Sequence, residues 1–136
     1  NQNYSDLYCA LLNDIPCIRV LRPDVNDMSN YQYVVLEISS QEFGLSRDLL
    51  LEILNTENIA ARKYFSPGAH KSVPYCHDLP QYAHTLPVTD RLCEKILQLP
   101  SGHHVERDDI KIICAIVRFA YENAVEINKL SEQSGI

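Results

Sequence analysis

Residues 58–75 read Asn58-Ile59-Ala60-Ala61-Arg62-Lys63-Tyr64-Phe65-Ser66-Pro67-Gly68-Ala69-His70-Lys71-Ser72-Val73-Pro74-Tyr75. The stretch begins as a strand candidate over 59–65, and Pro67-Gly68 then breaks the strand. Proline restricts the backbone of the loop that follows and that carries His70 and Lys71. Polar side chains on a stiff loop beside a sheet edge are a common way to present a binding surface. We therefore expect this stretch to form one wall of a functional site.

The chain before this stretch predicts two more strands and two helices. Residues 31–38 are the strongest strand, and one of its faces carries Gln32, Val34, Leu36 and Ile38. Residues 17–21 are a shorter strand. Residues 4–12 form a helix whose apolar stripe we expect to be exposed and to need a partner. Another helix starts after Ser46, the expected N-cap.

The chain after this stretch predicts a long loop and two more helices. The loop over 66–87 contains four prolines, and loops of this length are usually functional. A helix starts near Pro87, with an apolar stripe of Leu92, Cys93, Ile96 and Leu97. The last helix starts near Glu106, and the tail over 129–136 is expected to be frayed. The sum is a single α+β domain over 1–136, with a small antiparallel sheet of about three strands packed against helices.

Composition limits the classes of partner. A chain of 136 residues fits one domain, and 46% hydrophobic and 22% charged residues are ordinary for a globular protein. The net charge of −6 argues against nucleic acid or an anionic membrane as a partner, since both need clustered Lys and Arg. No apolar run approaches the roughly 18 residues of a membrane-spanning helix. Five scattered cysteines indicate reduced thiols in a cytoplasmic protein, and a start without Met suggests a fragment.

The residues by themselves show no complete catalytic site. The five histidines and Cys76 lack the CxxC or HxxxH spacing of a zinc site. The serines and cysteines lack the surroundings of an activated nucleophile, and four glycines in the chain do not build a phosphate-binding loop. Neither Lys63 nor Lys71 has the buried surroundings that would activate an amine for a Schiff base. We therefore expect no catalytic residue and no metal in this chain.

Several motifs together carry a family likeness. The stretch from Asn58 to Pro67, with His70 and Pro74-Tyr75, resembles a signature of DegT/StrS-type PLP-dependent nucleotide-sugar aminotransferases, in the aspartate aminotransferase superfamily (fold type I). Four shorter motifs in the same order are similar to others of that family: Ser46-Arg47-Asp48, Leu86-Pro87-Val88-Thr89-Asp90-Arg91-Leu92, Ile96-Leu97-Gln98-Leu99-Pro100 and Asp108-Asp109-Ile110. The likeness covers essentially the whole chain, and residues 1–13 are similar to the interdomain helix of the family.

The resemblance implies that the chain is the C-terminal small domain of such an enzyme. In the family, the large domain holds the Schiff-base lysine and most contacts to PLP, so no cofactor-binding residue is expected here. The complete enzyme would transfer an amino group to the keto group of a nucleotide-linked deoxysugar, with PLP as its cofactor. The implied partners are the large domain, the nucleotide sugar and a second subunit of a homodimer.

The resemblance also implies which residues face the substrate. By matching position these are His70, Tyr64, Phe65, Arg62 and Lys63. His70 is expected to hydrogen-bond a sugar hydroxyl or a phosphate, and Tyr64 or Phe65 to stack on the sugar. Ser66 stands where the family often has an aromatic residue, which is a departure at this surface.

Two other functions stay open. The chain could be a stand-alone binding or interaction module that keeps the fold and has lost the chemistry. A metal-binding regulator would rest only on the number of histidines.

Overall fold

A computed structural model describes residues 2–134 and contains a four-stranded antiparallel sheet in the order β1-β2-β4-β3. The strands are β1 (Ile18–Leu21), β2 (Val34–Ile38), β3 (Arg62–Lys63) and β4 (Ile96–Leu99). The prediction of an α+β fold with a small antiparallel sheet is therefore confirmed, with four strands where about three were expected.

β2 lies inside the sheet, paired with β1 along one edge and with β4 along the other, and one of its faces is apolar. Val34, Leu36 and Ile38 are each at most 1% exposed. Their partners across the sheet are Leu99, Leu97 and Ile18. The buried face predicted from the alternation is confirmed for these three residues, although the strand begins at Val34 and not at Tyr31.

The predicted boundaries of one strand and one helix are wrong near β3 and β4. The strand expected over 59–65 contracts to Arg62–Lys63, and Phe65 adopts a left-handed backbone with φ of 48°. The helix expected to continue through Leu97 ends at Lys95, and Ile96 already has extended backbone. Ile96 and Leu97 pair with Glu37 and Leu36 of β2, so strand pairing replaces the helical stripe that their spacing suggested.

Seven α-helices are formed by residues 2–134: α1 (Gln2–Leu12), α2 (Ser40–Phe43), α3 (Arg47–Thr56), α4 (Tyr75–Asp78), α5 (Pro87–Lys95), α6 (Arg107–Glu122) and α7 (Ala124–Ser134). The predicted N-cap of α3 is confirmed, since Ser46 Oγ accepts a hydrogen bond from the Leu49 amide at 3.1 Å. None of these helices has the length and the apolar character that crossing a membrane requires.

The apolar stripe of α1 packs inside the chain, mainly against α6 and β1. Tyr8 and Leu12 are 0% exposed. Arg118 of α6 donates a hydrogen bond of 2.8 Å to the carbonyl oxygen of Leu11. The expectation that this stripe is exposed is therefore wrong, because the chain itself supplies the covering surface. The assignment of residues 1–13 as an interdomain helix stays a prediction.

The C-terminal helix extends further than expected. α6 starts with a reciprocal capping box between Glu106 and Asp109 and ends before Asn123. α7 then continues to Ser134, so residues 129–134 of the expected frayed tail are helical, and residues 135–136 lie outside the described part. Asn128 donates a hydrogen bond to the carbonyl oxygen of Gly44, which ties α7 to the end of α2.

Short turns order the segment between β3 and α5. A 3₁₀ turn over Ala69–Lys71, helix α4 and a second 3₁₀ turn over Pro80–Tyr82 follow one another. The Lys71 amide donates to the Gly68 carbonyl oxygen at 2.8 Å, which closes the first turn. The loop predicted over 66–87 is thus a series of tight turns that leads into α5.

Candidate functional site

Asp90, in the first turn of α5, holds two basic side chains from the preceding loop. His70 Nε2 lies 3.0 Å from Asp90 Oδ1, and Lys71 Nζ lies 2.7 Å from the same oxygen. The His70 side chain is 5% exposed, whereas that of Asp90 is 24% exposed. We call these three residues the Asp90 cluster. It fixes the loop to α5 across a separation of 20 residues in the chain.

The cluster favours an ionised Asp90. The hydrogen bond from Lys71, and to a smaller extent that from His70, holds the pKa of Asp90 below its ordinary value of 3.8, against the opposing effect of partial burial. A lowered pKa means that the interaction stabilises the fold above about pH 4 and is lost as the pH falls further.

The imidazole of His70 lines a small apolar cavity. Its walls are formed by Ala69, His70, Tyr75, Leu79, Tyr82 and Leu86, and its volume is ≈ 270 Å³. Gly68 lies against the other side of the ring: a Cβ there would come within 2.9 Å of His70 Nδ1 and 3.0 Å of Thr89 Cγ2. The ring is therefore held between Gly68 and Asp90.

Tyr64 and Phe65 form an aromatic group beside the sheet edge. Their ring centroids are 4.5 Å apart at an interplanar angle of 69°, and Tyr33 packs on Tyr64 at 5.8 Å. Phe65 is 74% exposed, so its ring is open to a partner. Cys93 Sγ donates a hydrogen bond of 3.3 Å to the Phe65 carbonyl oxygen, and α5 therefore anchors this part of the loop too.

Arg62 and Lys63 do not lie in the same place. Neighbouring side chains of a strand point to opposite faces. Lys63 Nζ lies 2.7 Å from Asp48 Oδ2 of α3. Arg62 lines a separate groove of ≈ 790 Å³ between the sheet edge and α6. Burial raises the pKa of Asp48, but the hydrogen bonds from Lys63 and Arg47 outweigh it and leave that pKa below 3.8.

The structure thus separates the five predicted substrate-facing residues. Tyr64 and Phe65 contact each other, and Phe65 and His70 are both attached to α5. Arg62 and Lys63 diverge to other surfaces. Their role toward a substrate stays a prediction.

Asp90 is the functional candidate that the sequence did not reveal. From the sequence, Asp90 stood out only as part of the motif over 86–92, with no role of its own. The sequence does contain a signal for this pairing. Asp90 follows Pro87 at a helix start, and a loop with two basic residues lies 20 positions earlier. Only the fold brings these groups together.

The lysines of this chain do not fit PLP. A lysine that forms a Schiff base must supply a neutral amine, usually in desolvated surroundings. Lys63, Lys71 and Lys111 are paired with carboxylates at 2.7 Å, and Lys95 and Lys129 are exposed. The cofactor that the resemblance implies therefore has no anchoring lysine among residues 2–134.

The cysteines and histidines form no evident redox or metal site in the described part. Cys9, Cys17, Cys76, Cys93 and Cys114 are all free thiols. Within residues 2–134 no three His, Cys, Asp or Glu side chains are grouped so that they could hold a metal ion.

Comparison with known proteins connects this fold to one family. The model of the DegT/DnrJ/EryC1/StrS aminotransferase family matches residues 1–118. The dTDP-4-amino-4,6-dideoxy-D-glucose transaminase of Escherichia coli is 34% identical over 94 residues, which are 69% of this chain and 25% of that enzyme. The transaminase of the same name from Shigella dysenteriae is 31% identical over 121 residues, which are 85% of this chain and 31% of that enzyme.

Solved structures of other proteins show the same similarity. DesI, crystallised in the presence of its TDP-sugar product, is 33% identical and superposes with a TM-score of 0.87 over 96% of this chain and 33% of its own. Helicobacter pylori PseC, with 20% identity over 90% of this chain and 32% of its own, has a TM-score of 0.73 and shows the fold alone. The chain spans between a quarter and a third of the length of these relatives.

Proposed function

This chain belongs to the DegT/DnrJ/EryC1/StrS aminotransferase family, and we propose that it is the C-terminal small domain of a PLP-dependent aminotransferase that acts on a nucleotide-linked keto-deoxysugar. One observation carries the proposal: the chain superposes closely on a third of DesI, which was crystallised in the presence of its TDP-sugar product, while its own lysines offer no anchor for PLP. PLP would be held by a large domain outside this chain and would carry the amino group there.

In this proposal the chain supplies the substrate side of the active site. Aromatic rings present flat apolar faces, and the exposed ring of Phe65, supported by Tyr64, suits stacking on a sugar. His70 would offer a ring nitrogen to a hydroxyl group. Arg62 and Lys63 have less support as substrate-binding residues, because their side chains lie on other surfaces.

An exposed apolar surface supports contact with the large domain. Large hydrophobic side chains concentrate between residues 65 and 88, and several of them surround the cavity of His70. The exposed ones are Phe65, Val73, Tyr75, Leu79, Tyr82, Leu86 and Val88. Apolar surface of this extent usually marks an interaction site. We place the large domain here and not on α1, whose stripe is already covered.

Five free thiols are consistent with a cytoplasmic enzyme.

The test is complementation. The chain is mixed with PLP and reduced with borohydride, and we expect no stoichiometric lysine adduct. Adding a purified large domain should then restore amino transfer from glutamate to a nucleotide-linked keto sugar, whereas either part alone stays inactive. A specific adduct at Lys71 or Lys63, or a large domain that remains inactive with the chain present, would contradict the proposal.

A matched pair of variants locates the contact. Val73 and Val125 are 72% and 71% exposed, but Val125 lies on α7. Val73→Ser should weaken complementation at limiting concentrations of the chain, and Val125→Ser should not. Equal effects of both variants would contradict the placement of the large domain on the surface around Val73.

A stand-alone binding module is the second candidate. It is favoured by the packing of α1, which gives the chain a core that is complete without another domain. Binding of the nucleotide sugar by the chain alone, without any complementation, would support this alternative.

A further inference from the structure

The position of His70 depends on one acceptor. Its side chain is 5% exposed and has one hydrogen bond within residues 2–134, from Nε2 to Asp90 Oδ1 at 3.0 Å. The imidazole ring has no room to move away from Asp90, because the backbone of Gly68 packs against the other side of the ring. The orientation of the imidazole is therefore set by Asp90.

The chemistry of Asp90 determines which ring nitrogen carries the proton. Lys71 Nζ, a donor only, lies 2.7 Å from the same Oδ1 atom and keeps the carboxyl group ionised. An ionised carboxylate only accepts hydrogen bonds. His70 Nε2 must therefore be the donor, and in the neutral ring Nδ1 keeps its lone pair.

Nδ1 lies on the Gly68 side of the ring, since a Cβ on Gly68 would come within 2.9 Å of it. It has no hydrogen-bond partner among the described residues, yet no fully buried side-chain nitrogen or oxygen there lacks a partner. It follows that Nδ1 is not fully buried, although the His70 side chain as a whole is only 5% exposed. The ring also belongs to the wall of the apolar cavity. A single acceptor beside an apolar surface is the pattern by which binding sites orient a ligand.

We propose that Asp90 is a positioning residue: it fixes the Nε2–H tautomer of His70, so that Nδ1 accepts a hydrogen bond from a hydroxyl or amino group of a bound ligand. The cavity of ≈ 270 Å³ lies just below the range of about 300–1,000 Å³ that is usual for ligand pockets, and it suits a single ring-sized group. The identity of the ligand as the sugar part of the substrate rests on the proposed function, whereas the positioning of His70 does not.

A purely structural role for Asp90 predicts something different. In that case Asp90 would only tie the loop to α5, and its removal would lower stability without changing the tautomer of His70 in the folded protein. The two roles are separated by a spectroscopic measurement on the ring itself.

The experiment is two-dimensional NMR of the ¹⁵N-labelled histidine rings at a pH where His70 is neutral. We expect one tautomer in the unchanged chain, with the proton on Nε2. Asp90→Ala should produce a mixture of both tautomers, and Asp90→Asn, which keeps a carbonyl acceptor, should restore most of the preference. Asp108→Ala is the control, because Asp108 also lies in the first turn of a helix and pairs with a lysine, Lys111 at 2.7 Å, but has no histidine partner.

Two results would overturn the positioning role. One is an Nδ1–H tautomer in the unchanged chain, which requires no variant and so does not depend on whether a variant folds. The other is an unaltered tautomer in folded Asp90→Ala.

The ligand is tested separately after complementation. Asp90→Ala should raise KM for the nucleotide sugar about tenfold, which corresponds to about 1.4 kcal/mol, with little change in kcat. An unchanged KM would overturn the substrate contact and leave the tautomer result intact. Failure of complementation itself would count against the proposed function and not against the positioning of His70.

Discussion

The hydroxyl group of Tyr8 in α1 donates a hydrogen bond of 3.0 Å to the carbonyl oxygen of Pro100, which directly follows β4. The bond joins groups 92 residues apart, and Tyr8 is 0% exposed. The N-terminal helix is thereby attached to the end of the sheet next to α6. The hydrophobic core is consequently covered by α1, whose apolar stripe the sequence alone predicted to be exposed.

Tyr8→Phe should lower the free energy of unfolding by about 1 kcal/mol, because it leaves the partly buried carbonyl oxygen of Pro100 without this donor. Urea denaturation followed by circular dichroism measures the change. Tyr4→Phe is the control, since the hydroxyl group of Tyr4 has no hydrogen bond within the described residues and its removal should change stability by less than about 0.5 kcal/mol. Equal losses for both variants would disprove the role of the Tyr8 hydrogen bond.

The buried Arg47 should matter far more than an exposed arginine. Its side chain is 4% exposed and donates to the Ile96 carbonyl oxygen at 2.6 Å, which links α3 to β4. Arg47→Met keeps the apolar stem and should cost about 1.5–3 kcal/mol. Arg19, which pairs with Glu37, is 71% exposed, and Arg19→Met should cost less than about 1 kcal/mol. Thermal unfolding of the two variants, measured side by side, compares their losses of stability. A larger loss of stability for Arg19→Met would contradict the expectation.

Gly68→Ala should displace His70. The backbone of Gly68 has φ of −54°, which alanine tolerates, but the added Cβ would lie 2.7 Å from His70 Cε1. We expect a loss of about 1–3 kcal/mol from overpacking and a shift in the NMR signals of the His70 ring. Gly102→Ala is the comparison: its backbone has φ of +109° and no atom lies within 4 Å of the new Cβ, so backbone strain should lower stability without moving His70. Unshifted His70 signals in Gly68→Ala would count against the close contact.

Stability should fall in alkaline solution through Cys114. Burial raises the pKa of this thiol from 9.0 to about 12, although Arg118 acts in the opposite direction. Between these values the unfolded chain loses the proton and the folded chain keeps it, so the free energy of unfolding decreases as the pH rises above about 9. Cys114 contributes at most about 1.4 kcal/mol per pH unit to this slope.

Cys114→Ala should therefore flatten the slope of stability against pH above about pH 9, and Val117→Ala should not. Val117 is fully buried on the same helix and carries no titratable group, so its truncation lowers stability by a similar amount at every pH. Urea titrations at a series of pH values measure both slopes. A parallel flattening in the Val117 variant would exclude the thiol as the cause.

The sequence predicted those elements whose pattern is local. The alternation over β2, the cap at Ser46 and the start of α6 near Glu106 depend on neighbours in the chain, and the structure contains all three. β4 was not predicted, because Ile96 and Leu97 continue a spacing of three and four residues from Leu92 and Cys93. Only pairing with β2 makes these two residues a strand.

The candidate site was predicted in part for the same reason. His70 and Phe65 could be singled out by their motif, but their attachment to Asp90 and Cys93 depends on contacts across 20 and 28 residues. The separation of Arg62 from Lys63 follows from strand alternation, and it was missed because the stretch was treated as a single surface. The covered stripe of α1 required knowledge of α6, which lies about a hundred residues later.

α5 passes into β4 with no residue between them, since Lys95 ends the helix and Ile96 begins the strand. The rotational phase of the helix is therefore coupled to the hydrogen-bond register of the sheet. One residue inserted at this junction would turn α5 by about 100° and carry Asp90 and Cys93 away from the loop, or reverse the two faces of β4. The spacing between Asp90 and Leu99 thus acts as a fixed length in the molecule, whereas we expect the exposed segment over 24–30 to tolerate a change of length better.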